Sequence, residues 1–314
     1  MTKEDFICIT RSILDNDWNE RPIIKLSSIQ ISQFTGTAFD SDYQCYRIDF
    51  SAPALGPSEQ QKSIPRLVAK NTVANESIVL KLLSGKAYSV PAVLACVKLN
   101  SGREMVYEEF CPGTELYSVS DHSIWVKTAI LLARIHEAFW NIDSVNPPLA
   151  SALRVSPAIH EKLLRADQNT CHNQKWNIFL SMIISRFNSA PKTLIHGDMF
   201  PTNVITNENG IRIIDWADSC IFPYFMDIGR LTAIIDTKTN KPMCPCPDEV
   251  IKAYFNAIQQ MLQMEFDKFR KDILMAQFIE LAAIYSPQGL FGIDPVFNRT
   301  IETRLNEILD ECHC

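Results

Sequence analysis

The sequence predicts an α+β chain of two lobes: a small antiparallel-sheet N-terminal lobe with one main helix, and a larger, mainly helical C-terminal lobe. Three observations point to it. The 314 residues exceed what one core usually organises and suit two. β-prone runs separated by turn residues fill the chain as far as Phe110. From Asp121 onward, apolar residues recur mostly at helical spacing.

Taken in order, Thr2 and Asp5 followed by Ile9, Ile13 and Leu14 predict a short N-terminal helix. Ile29–Phe34 and Tyr43–Phe50 read as a strand pair around the loop Thr35–Asp42, which contains Gly36. Ser51–Ser63 is rich in Pro, Ser and Gln and reads as a connection. Ile64–Lys70 is the next strand. Asn75 then caps a helix carrying Glu76, Ile78, Val79, Leu82 and Leu83, stopped at Gly85. Ala92–Leu99 and Glu104–Phe110 form a hairpin about Ser101-Gly102. Asp121 or Ser123 caps a long helix through Trp140, with Ile124, Ala129, Leu132, Ile135 and Phe139 on its apolar face. Ser156-Pro157 opens further helix. Trp176, Phe179, Met182, Ile183 and Phe187 continue the helical spacing, and Pro191 ends it. Pro247 starts a helical tail with stripes such as Val250, Tyr254, Ile258 and Met261.

Between these helical parts lies the stretch that carries chemistry, Thr193 to Asp227. Thr193–Ile195 reads as a strand leading to His196-Gly197-Asp198. Val204–Thr206 and Ile211–Ile214 flank Asn207-Glu208-Asn209-Gly210, a hairpin signal. Pairing Thr206 near Ile211 sets Asn203 opposite Ile214 and Asp215, with Asp198 one loop upstream. Two carboxylates and an amide oxygen converging there can hold a hard cation such as Mg²⁺, which takes oxygen ligands and bridges phosphates.

The order D-x-x-x-x-N, hairpin, D is that of protein-kinase-like phosphotransferases. With His196-Gly197-Asp198, Ile214-Asp215-Trp216 and Pro223-x-x-x-Asp227 in sequence, the stretch resembles the aminoglycoside phosphotransferase and choline kinase superfamily, the former branch more closely. The resemblance runs from about Ile29 to Leu231 and implies a two-lobed protein-kinase-like fold, with residues 1–108 as a nucleotide-binding lobe, 109–113 as a hinge and 114–314 as the catalytic and substrate lobe. It implies ATP and Mg²⁺ as cofactors. Asp198 becomes the carboxylate that orients an acceptor hydroxyl and takes its proton, and Asn203 and Asp215 become the Mg²⁺ ligands. Lys70 becomes the phosphate-holding lysine, with Glu76 as its partner. The loop around Gly36 folds over the phosphates. Anchored on Pro112-Gly113, Glu109 offers its carbonyl and Cys111 its backbone N–H to adenine. His196 braces the catalytic loop, His136 is structural, and Asp227 hydrogen-bonds that loop from below. This sequence departs from the family in its single-Gly phosphate loop and its short lysine-to-glutamate interval. HGDMFPTNV also resembles homoserine-kinase-like members, so a neutral acceptor stays open beside an aminoglycoside-like or amino-alcohol one. A protein kinase and a nucleotide-binding pseudokinase are the remaining alternatives. The absence of peptide-docking or activation-loop text between Asp215 and Asp227 weighs against the first. The intact Asp198, Asn203, Asp215 and Lys70 weigh against the second.

Composition narrows the partners. Hydrophobic content of 46% and charged content of 21% are those of an ordinary globular enzyme. A net charge of −6 argues against nucleic acid. The text MTKEDFICITRS reads as no secretory signal, and no apolar run approaches membrane-spanning length. Ten cysteines without a framework suit reduced thiols, so a cytoplasmic location is expected. From Pro247 onward eleven acids face six bases, which places −5 of the −6 in the tail. Such a field can draw in a cationic acceptor, although solvated helix faces give the same count. Cys244/Cys246 and Cys312/Cys314 with His313 are each C-x-C rather than C-x₂-C, and that spacing alone makes no zinc site.

Overall fold

The computed structural model describes residues 29–33, 45–50, 66–72, 74–84, 88–98, 104–153, 155–286 and 294–312. The expected N-terminal helix, the loop with Gly36, the Ser51–Ser63 connection, Gly85 and the Ser101-Gly102 turn lie outside them. The chain divides into two compact units, Met1–Pro112 and Gly113–Cys314.

The first unit is built on one antiparallel sheet. Its strands are β1 (Ile29–Gln33), β2 (Cys45–Phe50), β3 (Leu67–Thr72), β4 (Val93–Lys98) and β5 (Glu104–Glu109), in the order β1-β2-β3-β5-β4. Ile48, Leu67, Ala69, Met105 and Tyr107 are buried together on one side of β2, β3 and β5, as alternation in a half-buried sheet requires. Helix α1 (Ala74–Ser84) buries Val79, Leu80 and Leu83. Several boundaries differ from the sequence reading by a few residues, with Arg66, Ala92 and Phe110 outside the strands, and two of them bear on the site. Strand β3 continues two residues past Lys70, because Asn71 and Thr72 pair with Met105 and Glu104. Asn75 lies inside the first turn of α1 rather than capping it.

The second unit is mainly helical and opens on the two-residue strand β6 (Thr114–Glu115). Short helices α3 (Ile142–Val145) and α4 (Pro147–Ala152) follow the long α2 (His122–Ala138). Asp121 is the cap of α2, its carboxylate accepting from the Ser123 backbone N–H at 2.8 Å. Then come α5 (Pro157–Thr170), capped by Ser156, and α6 (Gln174–Ser189), capped by Asn173. After the central stretch the chain continues through α7 (Met226–Ala233), α8 (Pro247–Leu262), α9 (Phe266–Ile284) and α10 (Pro295–Cys312). Helix α9 is the hub: it packs on α5, α7 and α10, while α2 packs on α8. The α7–α9 approach depends on Gly229, where any Cβ would come within 2.3 Å of the Ala276 Cβ. No helix among the described residues is long and apolar enough to cross a membrane.

Four of the tail's eleven acids are locally tied. Asp272 accepts two hydrogen bonds from Arg186, at 2.8 and 2.7 Å, and one from the Tyr224 hydroxyl at 2.7 Å. Glu280 pairs with Lys162 at 2.7 Å and with Arg230. Glu307 and Glu311 pair with Arg304, and Glu311 also with Arg270, all at 3.0 Å. Paired carboxylates project far less field than the raw count of acids suggests.

Candidate active site

Strand β7 (Lys192–Ile195) is paired with β10 (Cys220–Pro223) and delivers the chain to His196-Gly197-Asp198. Gly197 has φ +82°, and a Cβ there would meet the Asp218 carbonyl oxygen at 2.2 Å. Only glycine fits both demands. Asp227, in the first turn of α7 and 1% exposed, holds the loop from beneath. Its carboxylate accepts from the His196 N–H at 2.6 Å, the Gly197 N–H at 2.9 Å and the His136 ring at 3.1 Å. Burial works to raise the Asp227 carboxyl, but these donors outweigh it and hold the group below the usual range. His136 is buried on α2, its other ring nitrogen 2.5 Å from the Tyr254 hydroxyl of α8. The His196 ring donates from Nε2 to the Ile214 carbonyl at 2.9 Å and accepts the Asp198 N–H on Nδ1 at 3.2 Å. Both ring nitrogens are therefore occupied in bracing the loop, and the ring lies 4.7 Å from that of Trp216.

The hairpin has the expected register. β8 (Val204–Asn207) pairs with β9 (Gly210–Ile213), with Thr206 opposite Ile211. At its open end the Ile214 N–H donates to the Asn203 carbonyl at 2.9 Å, which puts Asp215 one residue beyond that bridge. Asn203 donates from Nδ2 to the Asp198 carbonyl at 2.9 Å and to its carboxylate at 3.1 Å. With the amide nitrogen so engaged, the oxygen is the atom by which the Asn203 side chain can ligate a cation. Asp215 has φ +64°, a left-handed conformation that Asp tolerates better than most residues.

Three charged side chains around Asp198 escape sequence reading. Arg230, one turn along α7 from Asp227, forms an ion pair with the other Asp198 oxygen and spans to Glu280 of α9. Its guanidinium also lies 5.6 Å from the centre of the Phe200 ring. Burial would raise the Asp198 carboxyl, but Arg230, with His196, Lys162 and the Asn203 amide, reverses this and holds it below the ordinary carboxylate range. Asp218 behaves oppositely: burial first, then the negative charges of Asp198 and Asp215, push it up. No spacing signal in the sequence marks Arg230, Glu280 or Asp218. They meet through the packing of α7 and the turn after Trp216 on their neighbours.

In the first unit, Lys70 on β3 forms an ion pair with Glu76 of α1, and its Nζ lies 3.3 Å from Glu108 of β5. All three side chains are buried. The Thr72 hydroxyl donates to the other Glu76 oxygen. Glu108 is the member of this group that the sequence did not single out. Beyond it, Glu109 ends β5 and its N–H donates to the Ala92 carbonyl at 2.9 Å, while the Phe110 N–H donates to Arg66 at 3.0 Å. Cys111 is partly buried, its thiol 3.8 Å from the Glu109 carbonyl.

Comparison with known proteins bears on family and fold. The model of the phosphotransferase enzyme family matches residues 62–261, well over half of the chain. A choline kinase from Cryptosporidium parvum Iowa II has a similar structure, with 19% identity, 99% of this chain and 96% of that one covered, and a TM-score of 0.59. A Plasmodium vivax ethanolamine kinase covers 98% of this chain and 89% of its own at 14% identity and a TM-score of 0.60. A spectinomycin phosphotransferase, solved with ADP and spectinomycin, covers 98% and 97% at 15% identity and a TM-score of 0.55. No curated protein sequence matches the chain. The structural likenesses establish a protein-kinase-like fold, and the family match goes further: this chain belongs to the phosphotransferase enzyme family, whose members are small-molecule kinases.

Proposed function

We propose that the chain transfers the γ-phosphoryl group of ATP to a hydroxyl of a small molecule, with Mg²⁺ as cofactor. The observation that carries this is the cluster of Asp198, Asn203 and Asp215 at the open end of one hairpin, held by Asp227. The donor set suits a hard cation: a carboxylate of Asp215 and an amide oxygen of Asn203. When bound, Mg²⁺ neutralises the phosphate oxygens and draws charge from the leaving group. Asp198 orients the acceptor hydroxyl and accepts its proton. Lys70 holds the phosphates and Glu76 holds Lys70. Glu109 and Cys111 serve adenine through backbone atoms, and residues 109–113 act as the hinge between nucleotide and substrate lobes.

An amino-alcohol acceptor is favoured. The similar structures are named for choline, ethanolamine and spectinomycin. With the tail's buried acids Asp272 and Glu280 engaged in ion pairs, Asp218 is the carboxylate we assign to a cationic acceptor, because the negative charges of Asp198 and Asp215 act on it. A panel of choline, ethanolamine, spectinomycin, homoserine and a neutral sugar tests this, assayed with Mg-ATP. Amines should be phosphorylated, and Asp218→Asn should raise their KM more than it lowers kcat. Turnover confined to neutral acceptors removes the cationic reading and leaves the kinase. Nucleotide binding without turnover of any acceptor favours the interaction-module alternative.

Arg230 sets the pH range of this chemistry. Asp198 acts as a base only when ionised, and the guanidinium beside it keeps its pKa low, so the ionised form persists as pH falls. Arg230→Met leaves burial unopposed by its largest partner, and the acid limb of the kcat profile should move to higher pH. The variant also takes one partner from buried Glu280, so Arg230→Lys, which keeps the charge, is the companion variant and should shift the limb less. An unmoved limb in folded Arg230→Met refutes the assignment.

A further inference from the structure

Cys244 and Cys246 are not used by the phosphotransfer site, and their C-x-C spacing carries nothing alone. The fold adds two partners. Cys246 is the residue before the first turn of α8, and Glu249 is the third residue within it, so both occupy the same end of that helix. His122 is the first residue of α2, and α2 packs on α8. The two helix starts are thus brought side by side from distant parts of the chain. A ring nitrogen of His122, the Cys246 thiol and a Glu249 carboxylate oxygen all lie within 4.8 Å of one another. His122 Nδ1 is 3.3 Å from the Glu249 oxygen. Cys244, two residues before Cys246 and equally buried, lies just outside this close group.

We propose that Cys244, Cys246, His122 and Glu249 form a binding site for one divalent transition metal of the zinc type. Two thiolates, an imidazole and a carboxylate are the donors zinc takes in tetrahedral sites, bonded at about 2.0–2.3 Å. Ligands at those lengths stand roughly 3.3–3.8 Å apart, so the His122, Cys246 and Glu249 atoms must close by about 1 Å, and Cys244, which lies outside that close group, completes the set only as they close onto it. Closure falls to His122 and Glu249, whose side chains are 48% and 61% exposed and free to move, while both cysteines are buried and fixed. Thiolate ligands select this metal against Mg²⁺, which keeps the site distinct from the phosphotransfer cation. A bare cation would be repelled by two helix N-termini. The four ligands carry three negative charges once both thiols have released their protons to solvent, so the metal-loaded group is net anionic and suits that place. The site staples the helix pair that carries the His136–Tyr254 hydrogen bond, and so the buttress of Asp227.

The test uses the full chain, reduced and stripped by a chelator, then titrated with Zn²⁺ against a chromophoric competitor in excess Mg²⁺. Co²⁺ serves as the spectroscopic probe. The expected results are one equivalent of tight zinc and a cobalt complex with a thiolate-to-metal charge-transfer band. Cys246→Ser should lose or halve that band. His122→Ala, at an exposed position that leaves the core untouched, should weaken zinc by at least the roughly 10-fold that loss of even an outer partner of a ligand costs. No stoichiometric zinc, a cobalt complex without the thiolate band, or affinity unchanged in either variant overturns the proposal. None of these readouts depends on phosphotransfer activity.

Discussion

Asp198→Asn is expected to remove most turnover, on the order of 10²-fold or more as the loss of a general base, with nucleotide affinity nearly unchanged. An amide in this place can still accept a hydrogen bond, yet it cannot take a proton from the acceptor hydroxyl. The fold should survive the change. Arg230 loses one partner but keeps Glu280, and Glu280 keeps Lys162. The loop itself hangs on Asp227 through the His196 and Gly197 N–H groups, none of which involves the Asp198 side chain. The measurements are kcat, nucleotide dissociation constant and melting temperature, taken together. Near-normal turnover in a folded variant would falsify the role. A collapse in melting temperature instead would mean that the Arg230 pair is chiefly structural.

The hairpin that builds this site was legible because local chemistry specifies it. The Asn-Gly loop between two β-prone runs fixes the register of Thr206 on Ile211, and the register fixes which side chains meet at the open end. The interval from Lys70 to Glu76 is short for this family. In the structure β3 ends at Thr72 and α1 starts at Ala74, so Glu76, in the first turn of α1, reaches Lys70 within that interval, and Thr72 also holds it. Arg230, Glu280 and Asp218 were illegible for the opposite reason. Arg230 and Glu280 lie on helices whose apolar stripes say which face is buried, not which helix it meets. Their contact depends on the Gly229–Ala276 approach, a tertiary fact with no period in the sequence. The acidic tail shows the same limit, since counting charges cannot reveal that Arg186, Lys162 and Arg230, all upstream of it, neutralise its buried members. His122 and Glu249 likewise became neighbours of Cys246 only when α2 met α8.

Asp215→Ala is expected to abolish the dependence of nucleotide binding on Mg²⁺ and to lower turnover by about 10²–10³-fold, because a metal's electrostatic contribution is several kcal/mol and each 1.36 kcal/mol is tenfold. Asp215 supplies the only formal negative charge of the Asn203–Asp215 pair, and an amide oxygen alone holds Mg²⁺ poorly. Alanine adds a second, unrelated cost, since the backbone here is left-handed at φ +64° and alanine takes that conformation at a penalty of about 1–2 kcal/mol. Asp215→Asn separates the two effects. Asparagine accepts the left-handed conformation but carries no charge, so it should keep the melting temperature of the parent while losing the metal response. Nucleotide binding is measured by calorimetry with Mg²⁺ and with chelator. The parent should bind more tightly with the metal, and both variants should bind equally weakly under either condition. If Asp215→Asn keeps the full Mg²⁺ enhancement, the metal is held elsewhere, and Asp218, the neighbouring carboxylate already raised by Asp198 and Asp215, becomes the ligand to replace next.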